Sequence, residues 1–519
     1  MRVRHFFYQI CIYIYIGLFL YFIYIILYQT KKKQKRKMAT MTGAGEEGKA
    51  THILIFPFPA QGHMLPILDF THQILTQNPD LITITILVTP KNLSLLNPLL
   101  SLHPSIQTLV LPFPSHPSIP HGVENLKDLP ATSFRFVIPA ITRLREPLTH
   151  WFKTHPSPPT AIVSDMFLGW THYLAVELGI RRITFSPSGA FALAVIQSLW
   201  RDMPKRSDGQ DEVFEFPEIA NCPKYPWWKL SSLYRSYVEG DPDSEIVRES
   251  FIGNRLSWGL VVNSFTELES VYLDYLKKDS GHDRVWAVGP IRPMLDDPNG
   301  PTTRGGSNSV SPDHILSWLD KCDENKVVYV CFGSQVVLRN DQMEELAKGL
   351  ERSGVHFVWS VKVPTGSQVD GDYGKVPIGF ENRVGERGLV IKGWAPQVSI
   401  LRHRAVGAFL THCGWNSVLE GIAAGVLMLT WPMQADQYAN ATLLVDTLEV
   451  GKSACEGDRI VPDSVELARV FAESVGEENR ARRRRVEELC GAANRATMEG
   501  GSSYKDLESL VAHLKVTTI

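Results

Sequence analysis

Two residues about a hundred positions apart have the types and surroundings for acid–base chemistry. His63 follows an apolar run in Phe56-Pro-Phe-Pro-Ala-Gln-Gly62-His63, and Asp165 closes another in Ala161-Ile-Val-Ser-Asp165-Met-Phe167. A histidine with an ordinary pKa near 6.5 is partly or mostly neutral at cytosolic pH and can take a proton. An aspartate that accepts the ring's other N–H orients the imidazole and stabilises its protonated form. Gly62 is expected to permit the tight strand-to-helix turn ahead of the histidine. A second group is compact. Trp394-Ala395-Pro-Gln397, His412-Cys-Gly-Trp415-Asn416-Ser417-Val-Leu-Glu420 and Trp431-Pro-Met-Gln-Ala-Asp436-Gln437 fall within 44 residues. There a strand is expected to end near Thr411, Gly414 to turn the chain, and Asn416 or Ser417 to open a helix. Backbone N–H groups and the positive end of the helix dipole then make an anion site. His412, Asn416 and Ser417 add side-chain donors at the same point, which suits a diphosphate. Trp394 offers a flat face to a nucleobase, a contact worth about 1–3 kcal/mol, and Asp436 and Gln437 can bind sugar hydroxyls.

These side chains need elements to hold them. Past residue 50, short β-branched runs alternate with helical patterns. Strands are expected at His52–Phe58, Leu81–Val88, Ala161–Ser164 and Gly259–Val262, and again at Val327–Phe332, Val355–Val361, Gly388–Ile391, Ala408–Thr411 and Val426–Thr430. Mostly continuous apolar runs fit strands buried on both faces of parallel sheets, and the alternation fits βαβ units. The Pro-, Gly- and Ser-rich stretch 291–311 reads as a linker. The simplest architecture is α/β, with an N-terminal domain over 38–290, a C-terminal domain over 312–495 and a C-terminal helix over 496–519 packing back on the first domain. Ligands of open parallel sheets bind beyond the carboxyl ends of the strands, so two such domains facing each other make a deep cleft.

Each fragment also has a purely structural reading. Ser417-x-x-Glu420 fits a capping box, Trp431-Pro432 a core residue followed by a turn, His63 a helix cap and Ser334 an ordinary turn serine. Together, however, the 44 residues closely resemble the donor-binding signature of plant family-1 UDP-glycosyltransferases, in length, in the start at Trp394 and in the end at Gln437. The likeness runs from about His52 to the C-terminus. It implies a GT-B type fold of two Rossmann-like domains. By the same resemblance, Trp394 stacks on uracil, the Ala395 backbone contacts the base, and Gln397 and Glu420 bind the ribose. His412, Asn416 and Ser417 hold the diphosphate, with a further phosphate contact from Ser334. Trp415, Asp436 and Gln437 contact the sugar, and Gln437 is similar to the residue of glucose-using members. His63 and Asp165 match the family's catalytic pair.

Pro112–Pro120 and Ser231–Pro242 resemble a subgroup that glucosylates flavonols and hydroxybenzoic acids. The expectation is inverting, metal-independent transfer from UDP-glucose, a co-substrate rather than a cofactor, to a phenolic hydroxyl. The acceptor would lie against His63 and Phe167, with Met64, Phe191 and the loops 112–130 and 200–240 as further candidate walls. Other UDP-sugars (xylose, rhamnose, galactose), a non-phenolic acceptor, or a non-catalytic membrane-tethered sugar-nucleotide-binding protein stay open. Asp241-Pro-Asp243 and Asp370-Gly-Asp372 superficially match a metal-binding D-x-D but sit in polar loops, and no metal is expected.

Composition narrows the classes. The 519 residues are 44% hydrophobic and 21% charged, with 53 basic against 55 acidic residues. This excludes a mainly disordered chain, a many-pass membrane protein and an overall basic nucleic-acid binder. The near balance hides a segment. Residues 1–37 carry eight basic and no acidic residues, so the remainder has a net charge of −10. The apolar stretch Phe6–Tyr28 would measure about 34 Å as a helix, enough to span a bilayer, with the heavier basic cluster on the cytoplasmic side. Its six tyrosines and its Phe, Ile and Lys bias favour instead untranslated leader sequence ahead of a native start at Met38. Either way the remainder is expected in the cytosol, monomeric and without an obligatory protein partner. Seven scattered cysteines with no C-x-x-C pair fit a reducing compartment. The sequons at Asn92 and Asn440 would there stay bare.

Overall fold

The computed structural model describes residues 51–78, 82–129, 131–206, 212–294, 310–364 and 371–515. The apolar leader, most of the 291–311 linker and Asp370 lie outside the described residues.

In chain order, the first half contributes β1 (Thr51–Phe56), β2 (Ile82–Val88), β3 (Gln107–Val110), β4 (Ala161–Asp165), β5 (Arg181–Ser186), a short antiparallel hairpin of β6 (Val213–Glu215) and β7 (Lys224–Pro226), then β8 (Gly259–Val262) and β9 (Val285–Ala287). Apart from the hairpin these form one parallel sheet in the order β3-β2-β1-β4-β5-β8-β9. The second half contributes β10 (Val327–Cys331), β11 (His356–Val361), β12 (Gly388–Lys392), β13 (Val406–Thr411), β14 (Leu427–Thr430) and β15 (Gly451–Ser453), parallel in the order β12-β11-β10-β13-β14-β15. Both sheets are doubly wound. Each reverses its strand order once, between β1 and β4 and between β10 and β13, and such a reversal opens a ligand crevice.

The helices that matter to the site are α1 (Gln61–Gln77), α2 (Ala190–Asp202), α3 (Pro242–Arg255), α4 (Thr266–Ser280), α5 (Trp415–Ala424), α6 (Arg480–Thr497) and α7 (Ser502–Lys515). The central strands are buried along their whole length, as continuous apolar runs covered by helices on both faces require. The last helix belongs physically to the first sheet. Leu507, Leu510, Val511 and Leu514 share a core with Ile53, Ile55 and Val163. The Ala287 N–H donates to Asp506 at 2.7 Å, and Trp286 Nε1 to Ser509 at 3.2 Å, so α7 covers the β9 edge.

β5 departs from the expected pattern. Its sequence opens Arg181-Arg182, which hides a buried strand from any reading based on apolar runs. Among the described residues no helix is long and apolar enough to cross a membrane. Asn92 and Asn440 are buried, with side-chain amides donating to Thr89 Oγ1 and the Cys413 carbonyl. On α6, Arg484 pairs with Glu488 one turn on, at 3.0 Å.

Candidate active site

His63 and Asp165 come from neighbouring strands. β1 pairs with β4, with Phe56 opposite Ser164, so both strands end level at the switch point. The chain leaving β1 turns into α1, whose third residue is His63. Gly62 lies inside that helix, outside the left-handed region, and a Cβ there would meet nothing closer than Asn416 Nδ2 at 3.9 Å. Contrary to expectation, the turn does not need a glycine. His63 Nδ1 lies 2.9 Å from Asp165 Oδ2, and Asp165 Oδ1 accepts the Phe167 N–H at 2.9 Å. With Asp165 accepting at Nδ1, the Nε2 of His63 carries the free lone pair. Asp165 is fully buried, whereas the His63 side chain is 19% exposed.

Phe167 stacks on His63, with ring centroids 4.6 Å apart and planes 28° apart. Around Phe167 stand Phe58 at 5.0 Å, Phe134 at 5.4 Å and Phe251 at 5.9 Å, a wall of edge-to-face contacts. Phe58 stands in the quoted run before His63, while Phe134 and Phe251 carry no sequence signal. Met64 and Phe191 are not part of it. Met64 is buried among the α1 core residues, and Phe191 packs on Tyr272 at 4.6 Å. A helical step of about 100° turns Met64 away from the face that carries His63.

The other crevice collects the 394–437 residues. β10 and β13 also end level, Cys331 opposite Thr411, which brings the turn holding Ser334 beside His412. The imidazole of His412 lies between two glycines. A Cβ on Gly333 would sit 2.6 Å from its Cε1, and one on Gly414 2.5 Å from its Nε2. Burial pulls the His412 pKa down to about 4, so the ring is neutral, and its Nδ1 is buried without a hydrogen-bond partner.

The helix α5 starts at Trp415 with Gly414 as its cap residue, one residue earlier than expected. Ser417 and Glu420 therefore do not form a capping box. Both instead accept from Gln397 Nε2, at 3.0 and 2.7 Å, and Tyr329 donates to Gln397 Oε1 at 3.3 Å. Trp394 is partly exposed and Ala395 buried. Cys413 takes a left-handed conformation, φ 64°, held by Asn440 Nδ2 on its carbonyl at 2.9 Å. Gln437 Oε1 accepts the Met433 and Gln434 N–H groups at 2.9 and 3.0 Å, which leaves its Nε2 as the group free to donate. Trp431 is core.

The Trp415 indole lies in the interface between the two domains. Its Nε1–H donates to the Asn263 carbonyl at 2.6 Å, and a Cβ on Gly189 would lie 2.6 Å from its ring. The indole thus pins one domain to the other, and only its backbone is left for a ligand. Two more hydrogen bonds cross the cleft, Asn416 Nδ2 to the Gly62 carbonyl at 3.1 Å and Ser188 Oγ to Asp436 Oδ2 at 2.9 Å. Burial pushes the Asp436 carboxyl up, and among the groups opposing that shift is the His63 imidazole across the cleft. The Ser188–Gly189 turn is itself anchored. Buried Glu269 accepts the Ala190 and Phe191 N–H groups at 2.9 and 2.8 Å, capping α2. Of the D-x-D candidates, Asp241 caps α3 through the Ser244 N–H at 3.0 Å, and Asp243 pairs with His116 at 3.2 Å.

Two doubly wound sheets facing across such a crevice, one carrying a His–Asp pair and the other a helix that opens beside a glycine-flanked histidine, define a GT-B glycosyltransferase architecture. The model of the family described as "UDP-glucoronosyl and UDP-glucosyl transferase" matches residues 305–453. The chain is 58% identical to UDP-glycosyltransferase 89B2 of Stevia rebaudiana over 90% of this chain and 98% of that protein. It is 58% identical to flavonol 3-O-glucosyltransferase UGT89B1 of Arabidopsis thaliana over 89% and 96%. Crystal structures of Arabidopsis thaliana UGT89C1 superpose over 90% of this chain and 100% of theirs. The complex with UDP-L-rhamnose gives a TM-score of 0.74 at 40% identity, and the complex with quercetin 0.72 at 39%. The chain belongs to the UDP-glycosyltransferase family.

Proposed function

We propose that this protein transfers glucose from UDP-glucose to a hydroxyl of a small phenol of flavonol or hydroxybenzoate type, with inversion and without a metal. The observation that carries this reading is the His63–Asp165 pair, set against the Phe167 wall and facing Asp436 across the cleft. His63 Nε2 takes the acceptor's O–H proton while that oxygen forms the bond to the anomeric carbon. The bond from that carbon to the diphosphate oxygen breaks, and UDP leaves from the opposite face with the electron pair. Asp165 holds the Nδ1–H and stabilises the imidazolium. A phenol gives up its proton more readily than an alcohol, which suits a single histidine base.

On the donor side, Trp394 stacks on uracil and the Ala395 backbone meets the base. Gln397 and Glu420 bind the ribose, and His412, Asn416, Ser417 and Ser334 meet the diphosphate. The orphaned Nδ1 of buried His412 and the glycines beside its ring support that role. Fixed donors in a desolvated cleft meet the charge that develops on the leaving group. The Trp415 backbone, Asp436 and Gln437 Nε2 orient the sugar. The reading needs no cofactor, nucleic acid or protein partner. It places the catalytic chain in the cytosol.

The name of the Arabidopsis thaliana flavonol 3-O-glucosyltransferase supports both glucose and a flavonol. The UDP-L-rhamnose complex of UGT89C1 favours a second reading, the same chemistry with UDP-rhamnose. Donor competition at fixed quercetin, with product mapping, separates the two. Turnover with UDP-rhamnose and none with UDP-glucose refutes the glucose assignment. UDP release unchanged in His63→Ala refutes the mechanism.

A further inference from the structure

Arg182 is a cation buried inside the first sheet. It stands on β5, next to β4, and is 1% exposed. Its guanidinium donates to five uncharged oxygens: Ser164 Oγ at 3.1 Å, Thr184 Oγ1 at 2.6 Å, Asn254 Oδ1 at 2.8 Å, Ser257 Oγ at 2.7 Å and the Asp165 carbonyl at 3.2 Å. A charge taken out of water usually pairs with an opposite one. This one touches no carboxylate through those bonds. The acidic group that acts on it is Asp165, whose side chain is spent on His63 and on the Phe167 N–H. Burial pulls the Arg182 pKa down to about 9 while Asp165 holds it up, so the group is charged at neutral pH.

The sheet therefore brings three groups together: the Arg182 cation, bonded to the Asp165 carbonyl, the Asp165 carboxylate and the imidazole of His63. The titratable groups around them are Asp436 from the C-terminal domain and His172 of the helix Thr171–Leu178, whose pKa burial and Arg182 both lower.

We propose that Arg182 is a positioning residue. From β5, beside β4, it holds Asp165 in place as the acceptor for His63 Nδ1 and opposes premature protonation of His63, so that the imidazole is free to accept the substrate's proton. This inference rests on the reading of His63 as the base. A neutral side chain in place of Arg182 leaves the field at His63 more negative and favours the imidazolium.

The test is the pH profile of kcat/KM with UDP-glucose and quercetin for Arg182→Gln, which keeps hydrogen bonds without the charge, and for Arg182→Lys, which keeps the charge without the fork. The acid limb is expected to move to higher pH by about half a unit or more in Arg182→Gln and to stay at the wild-type pH in Arg182→Lys. A merely structural strut predicts a loss of turnover by one factor at every pH, with the limb unmoved in both variants, and that result overturns the proposal. If Arg182→Gln does not fold, Arg182→Met, which keeps the length without the charge, takes its place under the same outcomes: a limb displaced to higher pH supports the proposal and an unmoved one overturns it, as does a displaced limb in Arg182→Lys. His63→Ala run alongside separates the two levels. Its loss of turnover with an unmoved Arg182→Gln limb defeats the Arg182 assignment alone, and its full activity defeats the base assignment beneath it.

Discussion

The substitution Gly333→Ala tests how the diphosphate site is built. Gly333 has φ 72°, and its Cβ would lie 2.6 Å from Cε1 and 2.7 Å from Nε2 of His412. An alanine in the left-handed region costs about 1–2 kcal/mol, and contacts this short force either the turn or the imidazole to move, at about 1–3 kcal/mol. The ring has little to hold it in place other than packing, because its Nδ1 has no partner and a second glycine, Gly414, also closes on its Cε1–Nε2 edge. The displacement therefore falls on the group proposed to meet the diphosphate. A misplaced hydrogen bond to a charged ligand loses about 1.5–3 kcal/mol, which predicts UDP binding weakened about 10- to 100-fold. Calorimetric titration with UDP measures this directly, and thermal unfolding shows whether the variant is folded. Gly62→Ala is the control: its Cβ meets only Asn416 Nδ2, at 3.9 Å, and within α1 it should match or raise the wild-type melting temperature. Wild-type UDP affinity in a folded Gly333→Ala would refute the argument that packing alone places His412.

Four further outcomes follow from the same geometry. Asp165→Asn should lower kcat by about 100- to 10,000-fold with KM little changed. The Phe167 N–H keeps the amide oxygen, so the NH2 faces His63 Nδ1 and moves the ring proton to Nε2, and a wild-type kcat would defeat this. Trp415→Phe strands the Asn263 carbonyl and should cost about 1–3 kcal/mol in urea unfolding, with an unchanged midpoint as the contrary result. Asp436→Asn should raise the melting temperature at neutral pH while lowering turnover. Its folded pKa is raised, so its stability contribution is complete below the ordinary 3.8 and is lost as pH rises through the folded value. The gap between variant and wild type should accordingly close as the pH falls toward 3.8. EDTA should leave turnover unchanged, and a loss that Mg2+ restores would reinstate a metal.

The donor half was the more legible in the sequence because its chemistry is packed into 44 contiguous residues, each adding a recognisable side chain to one strand-end turn. Even there, the motif does not say which part of Trp415 is free for a ligand: its indole serves the domain interface, since nothing in a linear motif says which way an indole turns. The proposed acid–base pair was readable because two short apolar runs lead to His63 and Asp165, but their adjacency depends on the β1–β4 pairing, which the chain order does not announce. The aromatic cluster around Phe167, proposed to face the acceptor, was mostly illegible. Phe134 and Phe251 lie far from Phe167 in sequence, while Met64 and Phe191, close to the motifs, are core. β5 was missed because Arg181 and Arg182 break the apolar pattern. A buried arginine is tolerated there only because side-chain oxygens from β4, β5 and the α3 end converge on it, a condition set by tertiary structure.

The cross-cleft contacts bear on what makes the site whole. Asn416, a proposed diphosphate ligand, bonds to the carbonyl of the residue before the proposed base; Asp436, a proposed sugar ligand, bonds to Ser188 on the acceptor side; Trp415 locks both through Asn263. Each domain thus supplies groups that complete the other's crevice. Glu269 extends the chain of dependence by fixing the Ser188–Gly189 turn from α4. α7 returns the end of the chain to the first sheet, so the halves are joined at both ends of the C-terminal domain. The donor residues and the base are consequently held in register by the same few bonds. A substitution at the interface, away from the reacting atoms, should then raise the KM for the UDP-sugar and lower kcat together. A mutation confined to the Phe134–Phe251 wall should act on the acceptor alone.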